Sequence, residues 1–330
     1  MTRVGQALVV LWIAAGAFAP VLAPNPPAAQ FEFPYAPPMR PRIIDADGHW
    51  RAPFVYGIRV RSLIERTYEI DTTRPVPLVW FSNGRFVSTA DPSTPLLLLG
   101  SDAINRDVFA RLLYGARASL GVAIVAGVCA LLIGAIAGAA AGYAGGWIDD
   151  VVMRAADLLI LLPAIYIVLA LRAVMPLTLE FHQVFWLMAV ILGLVGWPHV
   201  ARPVRAIVAS ESRREYVEAA RAVGAGPGRI VLRHLVPAAG HALITQATLL
   251  LPAFVLAEAT LSFVGLGFPD PAASWGTMLL EAGRNVRAVS EYPWMLAPAA
   301  AIILFVLGLH LSTGDGRRGE PLTDTSLGAK

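Results

Sequence analysis

The run EYVEAARAVGAGPGRIVLRHLVP, Glu215–Pro237, decides how the rest of the chain is read. It is polar and rich in arginine, it lies between long apolar segments, and it reads as two short helices meeting at a glycine turn. Gly224, Gly226 and Gly228 supply backbone freedom that a side chain would restrict. Pro227 suits the start of the second helix because it has no N–H to leave unpaired. Ala219 and Ala220 offer a flat face without bulky side chains, and Glu218 beside them offers one charge. Such a segment is either a solvated amphipathic loop or a handle that fits a groove on a partner.

The flanking sequence is that of a membrane protein. Mean hydropathy is +0.62. Of the 330 residues 56% are hydrophobic and 15% charged, against about 45–50% and 25% in soluble proteins. A net charge of +3 gives no footing for a nucleic-acid partner. The single cysteine, Cys129, lies in an apolar run, so no disulfide can form within the chain and no metal centre is indicated. A membrane span takes about 20 mostly apolar residues. Candidates are Val4 to Ala23, then 119–142, 150–175, 184–206, 237–259 and 294–312, six in all. The first also carries an Ala17-Phe18-Ala19 sequence of the kind cut by signal peptidase, so it is either a retained helix or a cleaved leader. In the second, Gly134, Gly138 and Gly142 recur every four residues, a spacing that lets a neighbouring helix approach closely.

Positive charge in short loops orients the spans. Arg202, Arg205, Arg213, Arg214, Arg221, Arg229 and Arg233 cluster between spans four and five, and Arg317, Arg318 and Lys330 lie in the tail. The connection from Ala173 to Phe185 has neither Lys nor Arg, and only Arg284 and Arg287 lie between spans five and six. Both termini and the 215–237 segment are therefore expected in the cytoplasm, and 25–115 outside.

Glu218-Ala219-Ala220, then Gly224, then Val236-Pro237 resemble the EAA loop of permease subunits of binding-protein-dependent ABC importers. Several further motifs, in order over residues 98–317, resemble the C-type permease of the dipeptide, oligopeptide and nickel group. Gly100-Ser101-Asp102 through Arg106-Asp107-Val108 to Arg111-Leu112 is similar to the family's entry into span two, with Asn105 standing where the pattern has Gly. Ala141–Asp149, Leu261-Ser262-Phe263-Val264-Gly265-Leu266-Gly267, Ser274-Trp275-Gly276 and Gly314-Asp315-Gly316-Arg317 also match. The resemblance implies an all-α polytopic fold with six transmembrane helices, the type I permease fold, in the inner membrane of a prokaryote. It implies four partners: a second, B-type permease, two ATP-binding subunits that hold ATP-Mg, and an extracytoplasmic substrate-binding protein. It implies no cofactor on this chain, and it makes Glu215, Glu218, Ala219, Ala220, Gly224, Gly226, Pro227 and Arg233 the ATPase-coupling residues.

The expected layout is helix 1 at 1–24, an extracytoplasmic insertion and entry segment at 25–115, a permease core at 116–312 with its coupling loop at 207–236, and a tail at 313–330. Within the insertion, 24–53 is Pro-rich and irregular. Phe54–Val60 has strand character, and Leu78–Ser88 reads as a hairpin around Asn83-Gly84. This small β-rich insertion either docks a binding protein, caps the pore, or only packs on its neighbour.

Asp102, Arg106, Asp107 and Arg111 are expected either to pair at the membrane surface or to start a solvated amphipathic helix, and Arg154 to pair with Asp157 one turn on. Arg172 and Glu180 stand near the outer ends of spans three and four. On span five, Thr245 and Gln246 face either a hydrated path or a neighbouring helix, and Glu258 is a candidate for touching substrate or gating. No Gly-x-x-x-x-Gly-Lys-Ser/Thr phosphate loop, His-Glu-x-x-His or Gly-x-Ser-x-Gly motif occurs. Two other classes remain as alternatives. A proton-coupled carrier would need mid-membrane carboxylates and repeats, whereas the mid-span positions here are apolar. A membrane scaffold would need no coupling groove.

Overall fold

The computed structural model describes residues 2–62, 66–91, 93–163, 166–167, 170, 179–284 and 290–313. The chain begins with α1 (Thr2–Ala17) and a short α2 (Ala19–Leu22) that Pro20 sets off from it. A four-stranded antiparallel sheet follows in chain order, β1 (Arg42–Ile44), β2 (Trp50–Ser62), β3 (Thr67–Ser82) and β4 (Arg85–Thr89). The β3–β4 hairpin turns at Asn83 and Gly84, both at positive φ, with Ser82 opposite Arg85. Asn-Gly accommodates such a turn at little cost.

The helical body comprises α3 (Val108–Ala144), α4 (Gly146–Leu161), α5 (Phe181–Glu211), α6 (Glu215–Ala222) and α7 (Pro227–Ile230). A π turn (Val231–Leu235) and α8 (Val236–Ala238) lead into α9 (Gly240–Phe263), followed by α10 (Trp275–Gly283), a 3-10 turn (Pro293–Leu296) and α11 (Ala297–Thr313). Among the described residues four helices are long and apolar enough to cross a membrane, at Val108–Ala144, Phe181–Glu211, Gly240–Phe263 and Pro293–Ser312. The first apolar segment forms the shorter helix Arg3–Ala17. The expected third span, 150–175, is described as helix up to Leu161, and much of its remainder, Arg172 included, lies outside the described residues, as do Arg287 and the Gly314–Arg317 motif.

The helix that contains span two starts before the apolar stretch itself. Asp107 caps α3 by accepting from the Phe109 N–H at 2.9 Å, and the helix that follows is 37 residues long, about 55 Å at 1.5 Å per residue. Its glycine stripe packs on α5 as the spacing predicts. A Cβ on Gly134 would lie 2.5 Å from Val200 Cβ, one on Gly138 2.4 Å from the Ala201 carbonyl oxygen, and one on Gly142 2.6 Å from that of Arg205. Trp275, fully buried, locks four helices together. It donates from Nε1 to the Leu112 carbonyl at 3.1 Å and meets Trp12 and Phe305 edge-on.

Candidate functional site

The 215–237 segment folds as two short helices with a defined corner. Glu215 and Glu218 occupy the first turn of α6, where negative charge is favoured by the unpaired N–H groups there. The helix ends at Val223, and Gly224 takes φ +89. The Gly224 N–H donates to Arg221 O at 2.9 Å and the Ala225 N–H to Ala220 O at 3.0 Å. This pair of bonds is a Schellman motif, which puts a left-handed residue at the position Gly224 holds. A Cβ at Gly224 would meet nothing within 4 Å, so conformation and not space selects glycine there. Pro227 then opens α7.

The corner is held against the body from beneath. Val217, Ile230 and Leu235 are fully buried. The Arg221 guanidinium lies 5.3 Å from the ring of Tyr143 at the end of α3, and the Tyr216 and His234 rings stand 6.1 Å apart. Above these anchors Glu215, Glu218, Ala219, Gly224, Gly226, Pro227 and Arg233 are exposed and Ala220 is half-buried. Seven of the eight sequence-identified residues are thus solvent-exposed along the two short helices, the turn that joins them and the π turn that follows. The structure adds two apolar residues to that surface, Val223 at 90% and Leu232 at 73% exposure. An apolar residue on each side of a glycine turn was their only sign in the sequence.

Charge pairs brace the same end. Arg205 grips Asp149 with two parallel bonds, Nε to Oδ1 at 2.8 Å and Nη2 to Oδ2. Arg202 pairs with Asp157. The expected Arg154–Asp157 pair is corrected by this, because Asp157 finds its cation on α5, packed alongside, and not on its own helix.

The opposite end of α3 carries a buried charge network. Arg106 donates from Nε to Asp102 at 2.7 Å, from Nη1 to Asp270 at 2.9 Å and from Nη2 to Glu281 at 2.7 Å. Arg111 reaches the same Glu281 oxygen at 2.8 Å. Both arginines are buried, so the solvated-helix alternative is excluded. Asn105 takes φ +72, a conformation open to glycine and tolerated by Asn. Asp107 is buried too, and accepts from Asn25 Nδ2 at 2.8 Å. Burial, with the charge of Asp102 adding to it, pushes the Asp107 carboxyl up to about 7, while the bonds from Asn25 and the backbone N–H groups pull the other way. Asp270 and Glu281 went unnoticed in the sequence, since nothing local marks them as partners of residues more than 160 positions away.

On α9 the three path candidates do not converge. Thr245 is exposed and donates to the His241 carbonyl at 3.0 Å, and Gln246 is half-buried. Glu258 is fully buried beside Ser262, whose Oγ donates to its Oε1 at 2.7 Å. The serine-rich surroundings continue through Ser274, 3.5 Å from Ser262, and Ser119, which accepts from the Trp275 N–H. In the β1–β2 turn, Asp45, Asp47 and His49 lie within ligand distance of one another. Turn closure accounts for them, since the Asp45 carboxylate accepts from the Asp47 and His49 N–H groups and from Arg51.

A family model described as binding-protein-dependent transport system inner membrane component matches residues 130–313. A Brucella ovis protein named as a peptide permease is 39% identical over 220 residues, 66% of this chain and 70% of that one. The oligopeptide transport system permease protein OppC of Bacillus subtilis is 36% identical over 239 residues, 72% of this chain and 75% of that one. The solved structure of the inward-facing MetNI methionine ABC transporter aligns at TM-score 0.46 and 20% identity, covering 61% of this chain and 92% of that chain. The chain belongs to the family of binding-protein-dependent transport system inner membrane components, as a multi-pass permease subunit of an ABC importer that leaves ATP hydrolysis to partner subunits.

Proposed function

We propose that this permease moves di- or oligopeptides, with Glu215–Pro237 as its coupling handle. The observation that carries the coupling reading is the Schellman corner at Gly224. It presents Glu218, Ala219 and Val223 outward while Val217, Ile230 and Leu235 root it in the helical body. A push on the corner is transmitted at once to α3 through Arg221 and Tyr143 and to α9 through the continuous run of α7, the π turn and α8. The partners are a B-type permease, two ATP-binding subunits carrying ATP-Mg, and an extracytoplasmic binding protein that delivers the peptide. Peptide is the substrate class because the curated relatives carry peptide-permease names.

In this reading six spans cross the inner membrane, α1 with α2 and the 150–175 segment adding to the four long helices. Both termini and the coupling loop face the cytoplasm. The sheet faces outside, which its position at the other end of the 37-residue α3 supports. Thr245 and Gln246 on the less buried side of α9 line the path, and Glu258 holds the packing behind it.

The test is assembly and transport of the tagged chain with its partner subunits in vesicles. Glu218→Lys reverses the one charge on the flat face, and Gly224→Val forces a β-branched residue to φ +89, a strain of about 1–2 kcal/mol confined to the corner. Both variants should insert normally, bind the ATPase subunits less well and lose peptide-driven ATPase and uptake. Normal uptake by both would refute coupling through this loop.

A further inference from the structure

The large exposed apolar side chains of the sheet concentrate toward one end. Near the β2–β3 connection ion pairs, Arg59 on Asp71 at 2.7 Å and Arg61 on Glu69 at 3.3 Å, flank the exposed Ile70 in sequence. At the other end, where β2 begins and the β3–β4 hairpin turns, Ile43, Ile44, Trp50, Trp80, Phe81 and Phe86 are all exposed, Trp50 and Phe81 by three quarters. Trp80 and Phe81 meet Phe86 edge-on at 5.4 and 5.3 Å. Large apolar side chains crowded at one end of a sheet mark a surface that is covered in use.

It is this apolar end that meets the membrane helices. Arg85 beside the hairpin turn donates to the Pro24 carbonyl at 2.7 Å, just beyond α2. Between sheet and helices runs an apolar groove of about 840 Å³, walled by Ile43, Ile44, Trp80 and Phe86 on one side and by Leu22 and Phe109 on the other. Phe18 and Val21, on the first apolar segment, are also exposed, so the apolar surface continues from the groove onto a helix end. Among the described residues Arg42 is the one charged side chain along the groove, and it is itself exposed.

We propose that this groove binds a phospholipid of the surrounding bilayer, with an acyl chain along its apolar wall, the phosphate met by Arg42, and the Trp80–Phe81–Phe86 tip at the headgroup level. Three features select lipid over a peptide segment. The groove is continuous with the surface of an apolar helix end, which the six-span reading proposed above, on which this inference rests, places in the membrane. Its walls offer hardly any polar side chain to orient a peptide, whose own N–H and C=O groups need partners. Indole and phenyl rings clustered beside the end of an apolar helix suit the membrane interface, where aromatic residues gather. An arginine fork is a good receptor for a phosphate oxygen pair.

The test uses the assembled importer in nanodiscs of phosphatidylethanolamine and phosphatidylglycerol, in a Cys129→Ala background with one spin label at Phe81→Cys or Glu69→Cys. Label 81 should relax several-fold more with oxygen, which partitions into lipid, than with a water-soluble nickel chelate, and label 69 should do the reverse. Native mass spectrometry of the detergent-purified complex should show retained phospholipid that is lost in Trp80→Ser with Phe86→Ser and reduced in Arg42→Gln. Equal nickel accessibility at 81 and 69, or the same phospholipid retention in the variants as in the parent, overturns the proposal. So does shielding of label 81 that appears only when the second permease or the binding protein is present, which would make the groove a protein interface.

Discussion

Glu281 is the point on which two buried arginines depend, and its loss should be among the costliest single changes in the chain. Its Oε1 accepts from Arg106 Nη2 at 2.7 Å and Arg111 Nη2 at 2.8 Å. In Glu281→Ala, Arg106 keeps Asp102 and Asp270. Arg111, whose Nε has no hydrogen-bond partner, keeps only Asp102 at 3.5 Å and the Pro271 carbonyl at 3.5 Å. The interior is left with two cations against Asp102, since Asp270 is 72% exposed and screened by water. Removing one member of a buried ion pair costs about 3–5 kcal/mol, roughly a 6–20 °C fall in apparent Tm at 2–4 °C per kcal/mol. The compensating variant is Arg111→Met with Glu281→Gln, which removes one charge of each sign and leaves an acceptor for Arg106. Replacing a buried pair by neutral groups of similar size is near neutral in stability, so the double variant should return to within about 1 kcal/mol of the parent. The assay is thermal unfolding of the parent, Glu281→Ala and the double variant in one detergent, read by loss of the monodisperse species. A double variant as unstable as Glu281→Ala, or a Glu281→Ala fall of under roughly 2 °C, would refute the charge-balance reasoning and leave the network as packing alone.

Gly138→Ala and Gly226→Ala form a contrast on the same assay. The first places a methyl 2.4 Å from the Ala201 carbonyl and should cost about 1–3 kcal/mol through parting α3 from α5. The second meets nothing within 4 Å at an ordinary φ of −68 and should change stability by under about 0.5 kcal/mol. Asp107 gives a pH signature. Its folded carboxyl, at about 7, lies well above the ordinary aspartate value, so the folded state holds the proton more tightly and stability is lost as pH rises from about 4 through 7. Between pH 6 and pH 8 the loss should be about 1 kcal/mol, and Asp107→Asn should flatten that slope; an unchanged slope would show that other groups set it.

The long helices, the glycine corner at Gly224 and the hairpin were legible in the amino-acid order because each follows from local chemistry. Apolar runs past about 20 residues fill a bilayer, Gly224 and Pro227 mark a helix stop and start, and Asn83-Gly84 marks a tight turn. The Gly134, Gly138 and Gly142 stripe announced a close helix contact, though the partner, α5, came only with the fold. Other features were decided by tertiary structure. Val108 rather than Ser119 begins α3, since a buried Asp107 cap and two paired arginines extend the helix beyond its apolar stretch. Asp157 binds Arg202 across helices although Arg154 lies one turn away, and Arg106 and Arg111 share a carboxylate that follows them by 170 residues or more. Glu258, conspicuous as a carboxylate in a span, is packed against Ser262 within the chain. Side-chain periodicity and turn chemistry act over a few residues and can be read from the order alone. The pairing of buried charges depends on which surfaces meet when the helices pack, and that is set by the whole chain at once.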